Sequence, residues 1–301
     1  MPYKSRTEPI ELLIMESLYN RVELSEKEQK QYSSLKKGYK GEVLFDKLTE
    51  TLQCDCLILN DLRLRHHSTY FQLDSLIIMA DKIFLYEIKN YEGDYFFEAD
   101  KFYMRPKTEI NNPLTQLSRS ESLLRQLILS LGYNLPLEAS VVFINSECTL
   151  YQVPLNKPII FPTQIHRHLN KLNLFPSQLK NNHYMLADKL VNLHIKNSPH
   201  TSLPSYDYHQ LQKGILCDRC HSFSISIEGN YCICQDCSEK ETVEKAVLRN
   251  VKEFKMLFPD QKITTSVIHN WCQVVMSKKR IKRILGRNFN IIEKRRWTYY
   301  E

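Results

Sequence analysis

The residues most able to do chemistry are Asp74 and the tripeptide Glu87-Ile88-Lys89, which belong to two neighbouring apolar segments. These segments, residues 70–79 and 83–91, are separated by a short polar stretch, a pattern typical of two antiparallel strands joined by a tight turn. In the register of a two-residue turn at residues 80–81, Asp74 lies directly opposite Glu87. Because side chains alternate along a strand, Lys89 then lies on the same face of the sheet.

A divalent cation would explain why two carboxylates and an ammonium group share one partly buried surface, where unpartnered charges are costly. The alternative is an ion pair at the sheet edge with a solvated Lys89. Glu-x-Lys by itself is not diagnostic, since it recurs at residues 28–30 and 253–255. The aspartate in register on the neighbouring strand favours the metal site at residues 87–89, but the local pattern leaves both interpretations open.

A compact α/β domain is expected to position these side chains. Asn112-Pro113 predicts a helix start, with Asn as the N-cap and Pro in the first position, and Gly132 predicts its end. Another helix is expected at residues 40–52, entered through Gly38 and Gly41 and with Glu42 in its first turn. Strands are expected at residues 56–62, in the hairpin, at 139–145 and at 158–161, with an extended stretch at 95–104 and a helix from Thr163. The order is helix, three strands, helix, strand.

Four features together resemble the NERD (nuclease-related domain) family over about residues 36–150. They are Gly38-x-x-Gly41-Glu42, Gln72-x-Asp74, Glu87-Ile88-Lys89 followed by Asn90-Tyr91-x-Gly93, and Asn112-Pro113-x-x-Gln116. That family is placed within the PD-(D/E)xK nuclease superfamily, whose core has the αβββαβ order. The resemblance implies the same core in this chain and a nuclease-like site within it.

The resemblance further implies that Asp74 and Glu87, with the carbonyl of Ile88, bind Mg²⁺ or Mn²⁺, which prefer hard oxygen ligands. Lys89 would position or deprotonate the attacking water, or neutralise charge on the phosphate in the transition state. Two adjacent carboxylates should keep Lys89 protonated, which favours electrostatic stabilisation.

Two further residues are implied as catalytic, each with a simpler alternative. Glu42 would add a metal ligand or orient a water; alternatively, it is an acidic residue at a helix N-terminus, where the dipole favours negative charge. Gln116 would hold Lys89 or a substrate phosphate; alternatively, it is an exposed amide on the helix surface.

The chain has nine cysteines, and four of them have the spacing of a structural zinc site. Cys217 with Cys220 and Cys234 with Cys237 form two Cys-x-x-Cys pairs with thirteen residues between them, which read as strand, turn and strand. Four thiolates leave no open coordination position, so a structural Zn²⁺ in a zinc ribbon is predicted. An unmetallated cluster is the alternative. Cys232 is interpreted as a spare buried thiol, and His221 as a less favoured substitute ligand.

The basic charge is concentrated at the C-terminus. The last 25 residues carry nine basic and two acidic residues, which accounts for the whole formal net charge of +7. Residues 264–271 and 277–287 read as a helix-turn-helix, followed by a basic β wing to residue 300. A helical cap with a solvated charged face is the alternative. The candidate nucleic-acid-binding residues are Lys278, Lys279, Arg280, Lys282, Arg283, Arg287, Arg295 and Arg296.

The whole sequence predicts an α/β fold with a PD-(D/E)xK-like core and smaller modules. The expected segments are an N-terminal helical extension (1–35), the NERD nuclease-like domain (36–170), a helical connector (171–212), the zinc ribbon (213–240) and the basic helix-turn-helix-like domain (241–301). No run of about 18 apolar residues or signal-like core occurs, so a cytoplasmic protein without membrane contact is expected.

The predicted function is Mg²⁺-dependent hydrolysis of phosphodiester bonds in DNA, and RNA is the alternative substrate that the sequence leaves open. A concentration of positive charge next to otherwise neutral protein is typical of polyanion binding. The alternative is a non-catalytic DNA-binding or regulatory protein that uses a nuclease-like scaffold.

Overall fold

The computed structural model describes residues 1–196, 203–294 and 297–301, with eight α-helices, one 3-10 helix (Pro162–Gln164) and fourteen strands in these ranges. The chain divides into two compact units. Unit 1 comprises Met1–Pro9 and Ser33–Thr201, and unit 2 comprises Ile10–Tyr32 and Ser202–Glu301. The predicted domain boundaries stay predictions, and each unit is described by itself.

The helices are α1 (Ile10–Arg21), α2 (Glu26–Thr49), α3 (Pro113–Ser130), α4 (Ile165–Leu174), α5 (Asn181–Asn192), α6 (Val243–Leu257), α7 (Thr265–Cys272) and α8 (Lys278–Asn288). The strands of unit 1 are β1 (Leu57–His66), β2 (Thr69–Ile78), β3 (Ile83–Lys89), β4 (Gly93–Glu98), β5 (Lys101–Met104), β6 (Thr108–Ile110), β7 (Leu137–Phe143), β8 (Cys148–Tyr151) and β9 (Ile159–Ile160). Unit 2 contains β10 (Ile225–Glu228), β11 (Tyr231–Cys234), β12 (Lys240–Thr242), β13 (Ile291–Lys294) and β14 (Trp297–Tyr300).

Unit 1 is built on a five-stranded mixed sheet with the strand order β1-β2-β3-β7-β9. The first three strands are antiparallel, and β7 is parallel to both β3 and β9. Together with α2 and α3, this sheet confirms the predicted αβββαβ order. A second sheet has the strand order β6-β5-β4-β8. Its strands β4, β5 and β6 follow β3 in the chain, where a single extended stretch was expected, and β8 follows β7.

Alternating side chains of the main sheet form two hydrophobic clusters. On β3, Leu85 packs in the cluster that includes Leu124 of α3, whereas Phe84 packs in the cluster that includes Phe45 of α2. Both faces of the sheet are therefore apolar over most of their length. Polar residues on these strands require a specific partner, because burial without one is costly.

The predicted start of α2 was wrong. The helix begins at Glu26, and Gly38 and Gly41 lie inside it. The backbone N–H of Ser25 donates to Glu28 Oε2 at 2.8 Å, so Ser25 and Glu28 stabilise the true N-terminus. Glu42 therefore lies in the interior of the helix. The favourable interaction of an acidic side chain with a helix N-terminus therefore does not explain why a glutamate occupies position 42.

The predicted start of α3 is confirmed. Asn112 is the N-cap, its side chain accepts a hydrogen bond from the N–H of Leu114, and Pro113 is the first helical residue. The helix ends at Ser130, and Gly132 follows with a positive φ of 87°. This cap fixes the first turn of the helix, where Gln116 is located.

Unit 2 contains a three-stranded sheet of β10, β11 and β12 and a group of three helices followed by the antiparallel strands β13 and β14. Ile263 bridges to Tyr300, which ties the chain before α7 to the last strand. Trp271 of α7 is buried against Phe254 of α6, with ring centroids 5.6 Å apart, and Ile281 and Leu285 of α8 are also buried. The order α7, α8, β13 and β14 is the order expected for a helix-turn-helix with a β wing, and that assignment stays a prediction.

No helix in the described parts of the chain is both long enough and apolar enough to cross a membrane.

Candidate active site

The hairpin brings Asp74 and Glu87 to adjacent positions in the predicted register. Ser75 pairs with Tyr86, and the N–H of Met79 donates to the carbonyl of Lys82 at 2.9 Å. The next positions beyond Ser75 and Tyr86 are Asp74 and Glu87. Both carboxylates are buried, with 7% and 3% of the residue exposed.

The carboxylate of Asp74 is fixed by the backbone of the neighbouring strand. Its Oδ2 accepts a hydrogen bond of 2.8 Å from the N–H of Ile88. A bond to a backbone donor restricts the rotation of this side chain and leaves its other oxygen available to a further partner. The side chain is therefore preorganised next to Glu87.

Lys89 and Gln116 complete one side of the cluster. Lys89 Nζ donates to Glu87 Oε1 at 2.8 Å and to Gln116 Oε1 at 3.0 Å. Gln116 thus contacts Lys89, which is one of the two roles that were predicted for it; the other was contact with a substrate phosphate. A charge-assisted bond to Glu87 and a neutral bond to Gln116 together orient the ammonium group.

Burial and mutual repulsion raise the pKa values of the acids. Burial and the charge of Asp74 raise the pKa of Glu87 to about 8, and the same two causes raise the pKa of Glu42 to about 7. Burial also raises the pKa of Asp74, against the hydrogen bond from Ile88. Burial lowers the pKa of Lys89, but the Glu87 carboxylate outweighs it and the net shift is upward. A divalent cation would relieve this shortage of positive charge.

Glu42 is not free to join the other two acids. Its Oε2 accepts a 2.5 Å hydrogen bond from Arg6 Nη1, and Arg6 also pairs with Asp46 on the same helix. In the described part of the chain, the oxygens of Glu42, Asp74 and Glu87 do not all come within 4.8 Å of one another. Asp74 and Glu87, adjacent across the hairpin and both buried, are thus the residues that would hold a cation, while Glu42 is paired with Arg6.

Arg6 and Asp46 are the site residues that sequence reasoning missed. A lone arginine near the N-terminus matches no local motif. The signal in the sequence was the pair Glu42 and Asp46, which lie one turn apart on α2 and need a cation if buried.

The cluster opens onto a cavity of about 490 Å³. Asp74, Glu87, Lys89, Gln116 and Glu42 all line it, so every predicted catalytic residue reaches the same space. Tyr91 and Tyr95 form part of the wall and stack with their ring centroids 5.0 Å apart. The cavity is large enough for a phosphate group and part of the attached nucleotide.

Gly41 allows α2 to approach the end of β3. A Cβ atom at this position would lie 2.4 Å from the Cβ of Asn90, closer than side-chain atoms pack. Asn90 Nδ2 also donates to the carbonyl of Lys37 at 2.7 Å. The glycine therefore has a packing role against Asn90, which lines the cavity.

Unit 2 contains the predicted cysteine cluster. The Sγ atoms of Cys217, Cys220, Cys234 and Cys237 all lie within 4.8 Å of one another. Sγ of Cys217 is 3.5 Å from that of Cys237, and Sγ of Cys220 is 3.5 Å from that of Cys234. Four sulfur atoms at these separations surround one position and are compatible with tetrahedral zinc in a ribbon.

The two Cys-x-x-Cys turns have the same backbone shape. The residues that follow them, His221 and Ser238, have positive φ values of 58° and 59°, and their N–H groups donate to the carbonyls of Cys217 and Cys234. Cys232 lies in β11 outside the cluster, and burial raises the pKa of its thiol to about 11. Neither His221 nor Cys232 belongs to the four-residue group.

The basic residues of α8 divide into an exposed face and one residue with an internal role. Ser277 is the N-cap, and the apolar residues of the helix are buried. Arg280 donates to the carbonyl of Gly229 at 2.8 Å and to Asn230 Oδ1 at 3.0 Å, and so ties the helix to the β10–β11 turn. Arg295 and Arg296 lie outside the described residues. The exposed residues are Lys278, Lys279, Lys282, Arg283 and Arg287.

The αβββαβ core, with an Asp and a Glu-x-Lys facing a cavity at the end of the hairpin, defines a nuclease-like α/β domain. The family model described as "nuclease-related domain", NERD, matches residues 37–144. The chain therefore contains a nuclease-related domain, and all five predicted catalytic residues lie within the matched range. Comparison with curated proteins and with solved structures gave no match.

Proposed function

We propose that the protein is a Mg²⁺-dependent nuclease that hydrolyses phosphodiester bonds in DNA. The observation that carries the proposal is the convergence of Asp74, Glu87 and Lys89 on one cavity of a nuclease-related domain. Asp74 and Glu87, with the carbonyl of Ile88, would hold Mg²⁺ or Mn²⁺. When bound, the ion would supply Lewis-acid activation of the phosphate and of a water.

Lys89 acts as an electrostatic residue in this proposal. Its raised pKa keeps the ammonium charged at neutral pH, because the Glu87 carboxylate outweighs the effect of burial. A charged ammonium stabilises negative charge on the phosphate in the transition state and is a poor base. Gln116 orients this group through its 3.0 Å hydrogen bond.

Unit 2 would supply affinity for the nucleic acid. The exposed lysines and arginines of α8 are suited to phosphate contacts, which give most of the nonspecific binding free energy. A structural Zn²⁺ in the cysteine cluster would keep the β10–β11 turn in place for Arg280.

The proposal is tested by incubating the purified full chain with single-stranded, double-stranded and branched DNA, and with RNA, in the presence of Mg²⁺ or Mn²⁺. Asp74→Asn is the sharpest variant, because the amide oxygen can still accept the Ile88 N–H while the charge is lost. We expect it and Glu87→Gln to reduce the cleavage rate by about 100-fold or more. Asp81→Asn, in the exposed turn of the same hairpin, is the matched control. Cleavage that survives Asp74→Asn contradicts the site.

Binding without cleavage is the second function, and the exposed basic face of α8 favours it independently of the carboxylates. Salt-sensitive retention of DNA with no cleavage under any divalent metal would support this function and overturn the first.

A further inference from the structure

The N-terminal segment is fixed against the edge strand of unit 1. The N–H of Lys4 donates to the carbonyl of Ile58, and the carbonyl of Lys4 accepts from the N–H of Asn60 at 2.9 Å. Lys4 Nζ also donates to the carbonyls of Asn60 and Asp61, at 2.7 and 2.8 Å. These bonds place the following residues beside the carboxylate cluster.

Arg6 is buried among acidic residues at this place, with 4% of its side chain exposed. Its guanidinium makes hydrogen bonds of 2.5 Å to Glu42 and of 2.8 and 3.0 Å to the two oxygens of Asp46. A fourth bond of 2.7 Å reaches the backbone carbonyl of Asp74. One cation thus connects α2 to the strand that carries a proposed metal ligand.

The guanidinium has the position and partners expected of a bound cation. It is permanently charged, and its planar fork matches carboxylate oxygens bidentately. A centre with two metal ions requires additional carboxylates that converge on both ions. Here Glu42 and Asp46 are engaged by Arg6, and Glu42 does not converge with Asp74 and Glu87.

We propose that Arg6 takes the place of a second divalent ion, so that the carboxylate centre holds a single ion between Asp74 and Glu87. This inference rests on the proposed function, since it concerns the metal content of the same site. Arg6 lies outside residues 37–144, which match the nuclease-related domain, so the arginine that replaces the second ion comes from the N-terminal segment of this chain.

The experiment is a Mn²⁺ titration of the zinc-loaded full chain, with bound Mn²⁺ counted by calorimetry and by electron paramagnetic resonance. We expect one ion in the wild type and none in Asp74→Asn. Arg6→Gln and Arg6→Ala release Glu42 and Asp46 and should bind two ions, whereas Arg6→Lys keeps the charge and should bind one. Adding Glu42→Gln to Arg6→Gln should return the count to one. Arg125→Gln, which removes an exposed arginine paired with Glu121 on α3, is the control and should bind one ion.

The outcomes separate the two proposals. No Mn²⁺ in the wild type overturns both the metal site and this inference. One ion in the wild type and one in the folded Arg6→Gln and Arg6→Ala variants overturns the inference alone, since a merely structural arginine would lower the melting temperature without changing the count. The wild type provides a test that does not depend on folding of a variant. Two ions in the wild type, or a spin-coupled Mn²⁺ pair at saturation, also overturn the inference.

Discussion

At the carboxylate centre, the acidic residues outnumber the cations that contact them. Asp74, Glu87, Glu42 and Asp46 are buried or half-buried, while Arg6 and Lys89 are the cations bonded to them in the described residues. Buried acidic groups of this kind need either a bound proton, as the raised pKa values of Glu87 and Glu42 indicate, or a further cationic partner. A divalent cation between Asp74 and Glu87 would supply the missing positive charge in place of those protons.

The imbalance has a consequence for stability that can be measured without substrate. The pKa of Glu87 rises from its ordinary 4.5 to about 8 through burial and the charge of Asp74. The folded protein then binds this proton more tightly than the unfolded chain. Its contribution is fully present below pH 4.5 and is lost as the pH rises through 8.

We therefore expect the metal-free protein to lose on the order of 1–3 kcal/mol of its free energy of unfolding across this range, compared with Glu87→Gln. Urea denaturation at a series of pH values measures the difference, and added Mg²⁺ should restore more stability at the alkaline end. Equal pH profiles for the two proteins would contradict the raised pKa.

Gln116 should affect the rate more than binding. Gln116→Ala removes one of the two partners of Lys89 and leaves the bond to Glu87, so the ammonium becomes less well oriented. We expect kcat to fall about 5–20-fold with KM nearly unchanged, because orientation contributes mainly in the transition state. Steady-state kinetics on the best DNA substrate give both constants. Gln126→Ala on the same helix is the control, and an unchanged kcat for Gln116→Ala would mean that Gln116 is a surface amide.

At the scale of elements, the two glycines of α2 make a matched pair. Gly41→Ala would force a Cβ to within 2.4 Å of Asn90, whereas a Cβ at Gly38 meets nothing within 4 Å. We expect Gly41→Ala to destabilise the protein by about 1–3 kcal/mol through overpacking. Gly38→Ala should stabilise it by roughly 0.5–1 kcal/mol, because alanine favours a helix interior. Urea denaturation measures the free energy of unfolding of both variants. Equal effects of the two substitutions would rule out the close approach of α2 to Asn90.

The same elements show which parts of the site were predictable. The register of Asp74 with Glu87 follows from a two-residue turn and the alternation of side chains, both local properties of the sequence. The cap at Asn112 is local in the same way. Arg6 reaches Glu42 only because the N-terminal segment pairs with β1, and such long-range pairing leaves no periodic signal. The start of α2 was missed because two glycines interrupt a helix whose tertiary contact at Asn90 requires one of them.

At the scale of the whole molecule, the chemistry is divided between the two compact units. The carboxylates and Lys89 belong to unit 1, and the cysteine cluster and the basic helix belong to unit 2. Arg280 links α8 to the β10–β11 turn, so the ribbon supports the basic face directly. Binding and cleavage should therefore respond separately to substitutions in the two units.

The basic face of α8 gives the most direct test of this separation. Lys279, Lys282 and Arg283 are exposed, and within the described ranges they do not share the bonds that Arg280 makes to Gly229 and Asn230. If each contacts one phosphate, replacing all three with Ala should reduce the slope of log affinity against log salt by about 2–3 on duplex DNA. Affinity at low salt should fall by more than tenfold, while Mn²⁺ binding at Asp74 and Glu87 stays unchanged.

Fluorescence anisotropy at several salt concentrations measures the slope. The control removes three exposed basic residues of unit 1, Lys101, Lys107 and Arg125, and should leave the slope nearly unaltered. Both triple variants lose the same total charge, so a difference between them reports the location of the charge. An equal loss of slope in the two proteins would mean that net charge alone governs binding and that α8 is a solvated helical cap.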